Sequence, residues 1–149
     1  MINKAHLTAI GRKKMSAPMT WLLNSGSLNL TFRSLDYGCG RGFDANFLKW
    51  SKYDPHYFPH TMLAPNYWQQ ITCHFVLNVM PEAEGLAVLK KIQSLLSWDG
   101  IAFITVRRDV KVEGLTSKGT YQWNPVLNLP VVHKTSSYCI YRLDKHTAL

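Results

Sequence analysis

The residues best suited to chemistry gather in one string, Leu35-Asp36-Tyr37-Gly38-Cys39-Gly40-Arg41-Gly42, between an apolar run and a segment of helical spacing. Glycines at such a junction let the backbone turn sharply and approach a ligand closely, and a following helix offers free N–H groups. Asp36 stands just before the glycines, where a cationic amino acid tail would be bound. Asp54 closes the unit and supplies a carboxylate able to accept hydrogen bonds from both hydroxyls of a ribose. A nicotinamide or flavin fingerprint needs Gly-x-Gly-x-x-Gly; here the third glycine comes one residue early and Phe43 takes its place.

Further candidates follow along the chain. Ligands of open α/β sheets bind at the carboxyl ends of strands. Arg107-Arg108-Asp109 follows such a strand, so Arg107 reads either as facing an anionic substrate or as part of a solvated pair. Asn78 reads either as lining the pocket or as capping the helix that begins near Pro81. His74 and His133 are candidate general bases. Gly119-Thr120-Tyr121-Gln122-Trp123-Asn124 is a candidate polar and aromatic substrate wall. Its Tyr121 and Trp123 either stack on a base or pack internally. No metal site is expected. Pro59 separates His56 from His60, His74 stands alone, and Cys39, Cys73 and Cys139 form no Cys-x-x-Cys.

The elements that must hold these groups are legible from periodicity. A short helix is expected over 18–23, with Ser16 as its cap, and a strand over 33–36. Residues 43–50 read as a helix with Phe43, Phe47 and Trp50 on one face, and 71–77 as a central strand. Residues 82–96 form the clearest amphipathic helix, with Leu86, Leu89, Ile92 and Leu96 on its stripe. Asp99-Gly100 reads as a turn, 101–106 as a buried strand, and 131–143 as a terminal hairpin. Apolar rather than alternating strands, interleaved with helices, indicate an α/β domain on a mainly parallel sheet.

The glycine string resembles motif I of the class I S-adenosylmethionine (SAM)-dependent methyltransferases. Tyr53-Asp54-Pro55 resembles the segment after it, Ile71 to Pro81 motif IV and its sequel, and Leu96 to Val106 the last helix and strand five. Thr8-Ala9-Ile10 with Arg12, Ser16-Ala17-Pro18, Val76-Leu77-Asn78-Val79, Val106-Arg107-Arg108-Asp109 and Gly119-Thr120-Tyr121-Gln122 narrow the likeness. They resemble a small bacterial group of methyltransferases associated with DNA phosphorothioation gene clusters. The resemblance implies a compact, abbreviated Rossmann-like fold with a C-terminal antiparallel hairpin, and SAM as cofactor. It implies that Asp36, Gly38, Gly40 and Gly42, with Tyr37 and Cys39 of the same turn, cradle the methionine end. Asp54 and Pro55 would take the ribose, and Cys73, His74 and Phe75 would lie near the sulfonium or the adenine. His74, Asn78 and Arg107 are the candidates on the catalytic side.

The chain departs from that family between Asp54 and Ile71, where no room exists for the usual helix, strand three and adenine-reading acidic loop. Strand two shrinks to a few residues around Ser51-Lys52-Tyr53, and Gln69 and Gln70 stand where an acid usually opens strand four. Asp54-Pro55-His56-Tyr57 is similar to the Asp-Pro-Pro-Tyr motif of DNA amino-methyltransferases. It follows the first helix rather than strand four, which favours a ribose-binding turn.

Length and charge bound the rest. At 149 residues one domain over 1–149 is expected, with a basic arm and helix over 1–30, a cofactor core over 31–110 and a substrate-side segment over 111–149. The formal net charge is +8, and no acid precedes Asp36. Arg12, Lys13 and Lys14 are therefore the candidate contact to a nucleic acid, a small anionic acceptor being the other choice of partner. No apolar run reaches the roughly 20 residues of a membrane span, and the start, Met1-Ile2-Asn3-Lys4-Ala5-His6, lacks a signal core, so a cytoplasmic protein is expected. A non-catalytic SAM-binding module and a SAM-degrading enzyme remain the competing readings.

Overall fold

Side chains alternate between two kinds of surface along the central strands, and that alternation decides where a ligand can lie. The computed structural model describes residues 4–149, so 1–3, the start of the expected arm, lie outside the described residues. The strands are β1 (Ser34–Tyr37), β2 (Ser51–Tyr53), β3 (Trp68–His74), β4 (Leu96–Arg107), β5 (Gly114–Leu115), β6 (Tyr121–Gln122), β7 (Val131–Lys134) and β8 (Tyr138–Asp144). Helices α1 (Ala17–Asn24), α2 (Phe43–Leu48) and α3 (Glu82–Leu95) join them, with single 3-10 turns at Ala5–Thr8 and Leu77–Val79.

Six strands make one sheet in the order β2-β1-β3-β4-β8-β7, and β5 and β6 form a separate pair. β2, β1, β3 and β4 run parallel, whereas β8 is antiparallel to both β4 and β7. Strand order reverses between β1 and β3, because β1 connects outward to β2 while β3 connects the other way to β4. A crevice opens at the carboxyl ends of strands where order reverses. No strand forms between β2 and β3, as the short spacing requires, so β3 pairs directly with β1.

Leu35 and Tyr37, Ile71 and Cys73, and Ala102, Ile104 and Val106 pack with Leu89, Ile92 and Leu95 of α3 in one apolar cluster. The intervening positions face the other way: Ser34 and Asp36, Gln70, Thr72 and His74, and Phe103 and Thr105. On that second face Leu22 of α1 covers Phe103 and Ile140. Nearer the strand ends the second face is polar. The strands of this parallel sheet thus alternate after all, because the second face carries polar groups beside a cavity and is not packed throughout with apolar side chains.

Several local expectations shift for physical reasons. Leu86 is exposed, and Gly85 takes the buried stripe position, facing Leu77. Phe47 is exposed too, since α2 ends at Leu48 and Lys49 turns left-handed at φ 59° before the face can continue to Trp50. Asp99 and Gly100 do not separate two elements. They sit in a bulge of β4, where Trp68 pairs with Leu96 but Gln70 already pairs with Ile101.

Candidate functional site

A cavity of about 490 Å³ opens at the reversal point, within the usual size range of small-molecule sites. The glycine turn after β1, the backbone after β3, the start of α2 and Arg107 at the end of β4 all border it. Of the sequence-predicted residues, Asp36, Gly38, Cys39, Gly40, Gly42, Asp54, Pro55, His74, Phe75, Asn78 and Arg107 line it. Tyr37 and Cys73 do not. Both lie in the apolar cluster under α3, one position out of phase with Asp36 and His74, so strand alternation separates them from the cavity.

Asp36 is the floor. It is 4% exposed and accepts a hydrogen bond from Thr72 Oγ1 at 3.0 Å, across the β1–β3 register that sets the two side by side. Burial, reinforced by Asp44 and opposed by Thr72, raises its pKa from 3.8 to about 8. Asp44, in the first turn of α2, accepts bonds from Ser16 N at 2.8 Å and Ser16 Oγ at 2.6 Å. Ser16 does precede α1 as expected, but its hydroxyl ties that helix to α2 instead of capping its own amides. Removing a hydroxyl donor from a buried carboxylate costs about 1.5–3 kcal/mol. Ser16→Ala is therefore expected to lose about that much stability in a urea titration, and an unchanged midpoint would disprove the link.

Glycine conformations shape the turn. Gly38, Gly40 and Gly42 have φ of 76°, 56° and 85°. A Cβ on Gly38 would stand 2.3 Å from Val76 Cγ2, so the turn and the chain leaving β3 touch backbone to side chain. Four amides of this turn are already engaged. Gly38 N and Cys39 N both donate to Tyr53 O, Gly42 N donates to Cys39 O, and Gly40 N donates to Asp54 Oδ2 at 2.9 Å. The turn offers close approach more than amide donors, and its acidic neighbours disfavour a phosphate.

Asp54 clamps this turn to the chain after β2, accepting His56 N at 2.9 Å and Tyr57 N at 3.1 Å on its other oxygen. A carboxylate has about four acceptor positions, so three bonds leave one for a ligand hydroxyl rather than the expected pair. Burial and the charges of Asp36 and Asp54 push the Cys39 thiol up to about 12, which keeps it protonated and unreactive.

Beyond β3 the chain is strained. Phe75, which borders the cavity, adopts φ 59° while its N–H reaches Thr105 O at 2.9 Å. Bulky residues rarely hold such a conformation, and it concentrates at functional sites. Asn78 is buried and accepts Arg107 N on its Oδ1 at 3.4 Å, so it joins the ends of β3 and β4 and does not cap α3. Arg107 is ion-paired with Asp109 at 2.9 Å, whereas Arg108 donates to Thr135 O. His133 is not at the site; it stacks on Trp21 at 4.0 Å. Gln69 and Gln70 serve the opposite end of the sheet, accepting Arg33 N and Asn29 N.

The basic arm is partly at the site as well. Residues Ala5, His6, Thr8, Ala9, Ile10 and Arg12 border the cavity, and His6 stacks on His56 at 4.0 Å. Arg12 bears electrostatically on Asp36 and His74, while Lys13 and Lys14 are exposed. No apolar periodicity announces this folding-back. Among the described residues, no three His, Cys, Asp or Glu side chains could hold a metal, and no helix could cross a membrane.

No family model and no curated protein matches this sequence. Solved structures do match its fold. The 1,6-didemethyltoxoflavin-N1-methyltransferase of Burkholderia thailandensis, with bound 1,6-didemethyltoxoflavin and S-adenosylhomocysteine, superposes with a TM-score of 0.60 at 14% identity, covering 85% of this chain and 76% of that one. The magnesium protoporphyrin IX methyltransferase of Synechocystis PCC 6803, with bound S-adenosylhomocysteine (SAH), gives 0.53 at 14% identity, covering 89% of each chain. The fold is that of the SAM-dependent methyltransferases. In this methyltransferase fold the shortened stretch between β2 and β3 leaves a cavity wall that the N-terminal segment helps to build.

Proposed function

We propose that this chain is a SAM-dependent methyltransferase of a single domain, with SAM held in the cavity after β1. The observation that carries the reading is Asp36: a buried carboxylate at the foot of a closely approaching glycine turn, held largely protonated by its burial and by the neighbouring Asp44. An ammonium brought beside it would restore its charge and be bound by it. The donor set fits the cofactor. Asp36 suits its amino group, the remaining acceptor position of Asp54 suits a ribose hydroxyl, and Pro55, His56 and Phe75 offer the flat and apolar surface a purine needs. When bound, SAM supplies a methyl group already activated on a sulfonium. The protein's own task is then to hold the acceptor in line and exclude water.

The same proposal takes in the narrower sequence likeness, to the group associated with DNA phosphorothioation clusters, and an action in the cytoplasm. The acceptor is a nucleic acid or a small anionic molecule. The positive arm supports this, with Arg12 facing the cavity and Lys13 and Lys14 free at the surface.

Calorimetric titration with SAM and SAH tests the cofactor, and labelled-methyl transfer to DNA, RNA and metabolite pools tests the acceptor. Asp54→Ala is expected to weaken SAM binding at least about tenfold, because it frees three amides that shape the turn as well as removing the ribose acceptor. Binding as tight as the parent's would remove Asp54 from the site.

A further inference from the structure

Two buried side-chain atoms that belong to cavity-lining residues have no hydrogen-bond partner among the described residues, His74 Nε2 and Gln122 Oε1. Native proteins leave few buried polar atoms unpaired, because each costs free energy that a partner would recover. The cofactor contacts proposed above, at Asp36, Asp54, Pro55, His56 and Phe75, make use of neither atom.

The hydrogen on His74 can be placed from its neighbour. Thr105 is wholly buried, opposite His74 in the β3–β4 register, and its hydroxyl lies 2.7 Å from His74 Nδ1. That is the one side-chain bond given to this hydroxyl among the described residues. Either tautomer leaves one hydrogen without a partner, on Nε2 or on the Thr105 hydroxyl; Thr105 does not line the cavity, so a ligand there can relieve only a hydrogen carried on Nε2 of the cavity-lining His74. Thr105 therefore donates to Nδ1, and the neutral ring carries its own hydrogen on Nε2. Burial keeps the ring neutral at physiological pH, its pKa lowered to about 4. Of the residues that line the cavity, His74 thus carries one N–H and Gln122 one carbonyl oxygen that are buried and lack partners among the described residues.

We propose that His74 and Gln122 read an uncharged planar group bearing one acceptor and one N–H donor, the lactam or amidine edge of a nitrogen heterocycle, and that this group belongs to the methyl acceptor. The assignment rests on the methyltransferase reading and narrows its substrate. A carboxylate would leave Gln122 Oε1 without a donor, and an ammonium would leave the His74 N–H without an acceptor. A group presenting both an acceptor and a donor satisfies both.

The pair is also held in place, as a recognition site requires. Trp123, next to Gln122, donates from its backbone to Asn78 O at 3.1 Å and from its indole to Leu77 O at 3.0 Å and Met80 O at 2.7 Å. Asn124 is bonded in both directions to Val110, at 2.8 and 2.9 Å. The indole that the sequence offered as a stacking surface is instead the anchor that delivers Gln122. His74 acts here as a positioning donor, which replaces its candidate role as general base.

Nitrogen NMR of the imidazole side chains, in the whole protein with and without SAH, tests this. Cytosine and uracil serve as probes, benzoate and benzylamine as charged controls, and a single-stranded oligonucleotide as the polymeric source of the same edges. The His74 ring is expected as the Nε2–H form, shifted by cytosine or uracil and not by the charged rings. Gln122→Leu should weaken probe binding about tenfold and leave SAH affinity as it was. A larger response to the oligonucleotide assigns the heterocycle to a nucleic acid, and a larger response to the free bases assigns it to a small molecule. An Nδ1–H ring, a preference for benzoate, or indifference to Gln122→Leu would overturn the proposal. Failure of SAH to bind would instead count against the methyltransferase reading, while the tautomer and probe titrations still report on the pair.

Discussion

Replacing Asp36 by asparagine is expected to raise the melting temperature of the ligand-free protein and at the same time to weaken SAM binding. Asparagine is nearly isosteric and its carbonyl still accepts the Thr72 hydroxyl, so packing is preserved. The folded-state pKa of Asp36, about 8, lies above its ordinary value of 3.8. Stability from the protonated form is therefore fully present below about pH 4 and lost as pH rises through about 8. Each unit of displacement is worth about 1.4 kcal/mol, so at pH 7 the asparagine variant should gain about 2–4 kcal/mol. The gain should vanish near pH 4, where both proteins are uncharged at this position.

Binding should run the other way. The ammonium of SAM needs the carboxylate, so the parent releases a proton on binding and its affinity rises with pH up to about 8, while asparagine loses about 10–100-fold. Thermal melts across pH and calorimetry in two buffers of different ionisation enthalpy measure both halves. A variant less stable than the parent at pH 7 would refute the buried-charge account.

The second large effect belongs to Gly38. Alanine there meets two separate penalties: a left-handed backbone at φ 76° and a Cβ 2.3 Å from Val76 Cγ2. The first costs about 1 kcal/mol and the second about 1–3 kcal/mol, so Gly38→Ala should lose about 2–4 kcal/mol in urea. Val76→Ala in the same chain removes the crowding but not the backbone strain. The double variant should thus recover part of the loss, and a strictly additive cycle would show that the two residues do not touch.

How much of this was written in the sequence depends on what kind of force holds each part. The glycine turn was legible because close approach to Val76 admits no side chain, and Asp36 because a carboxylate beside such a turn has few structural uses. The missing strand was legible from chain length alone, since residues 55–67 are too few to cross the sheet and return. The partition of β3 was not, because Cys73 and His74 are adjacent in the chain and only the register with β1 and β4 assigns one to α3 and the other to the cavity. The folding-back of residues 5–12 was equally hidden. It relies on a ring stack between His6 and His56 and a bond from Tyr57 Oη to His6 O, neither of which leaves a periodic pattern. The Ser16–Asp44 bond joins residues 28 apart in sequence, and no local signal could pair them.

The two-sided character of β3 also protects it from error. A slip by one residue would carry Ile71 and Cys73 toward the cavity and thrust Thr72 and His74 into the apolar cluster beneath α3. Most strands lose buried apolar area when they slip. This one would also bury a hydroxyl and an imidazole without partners and strand the Asp36 carboxyl beside an aliphatic chain. The ligand cavity therefore enforces the alignment of the sheet that creates it, and polar residues kept for binding serve as proofreading for folding.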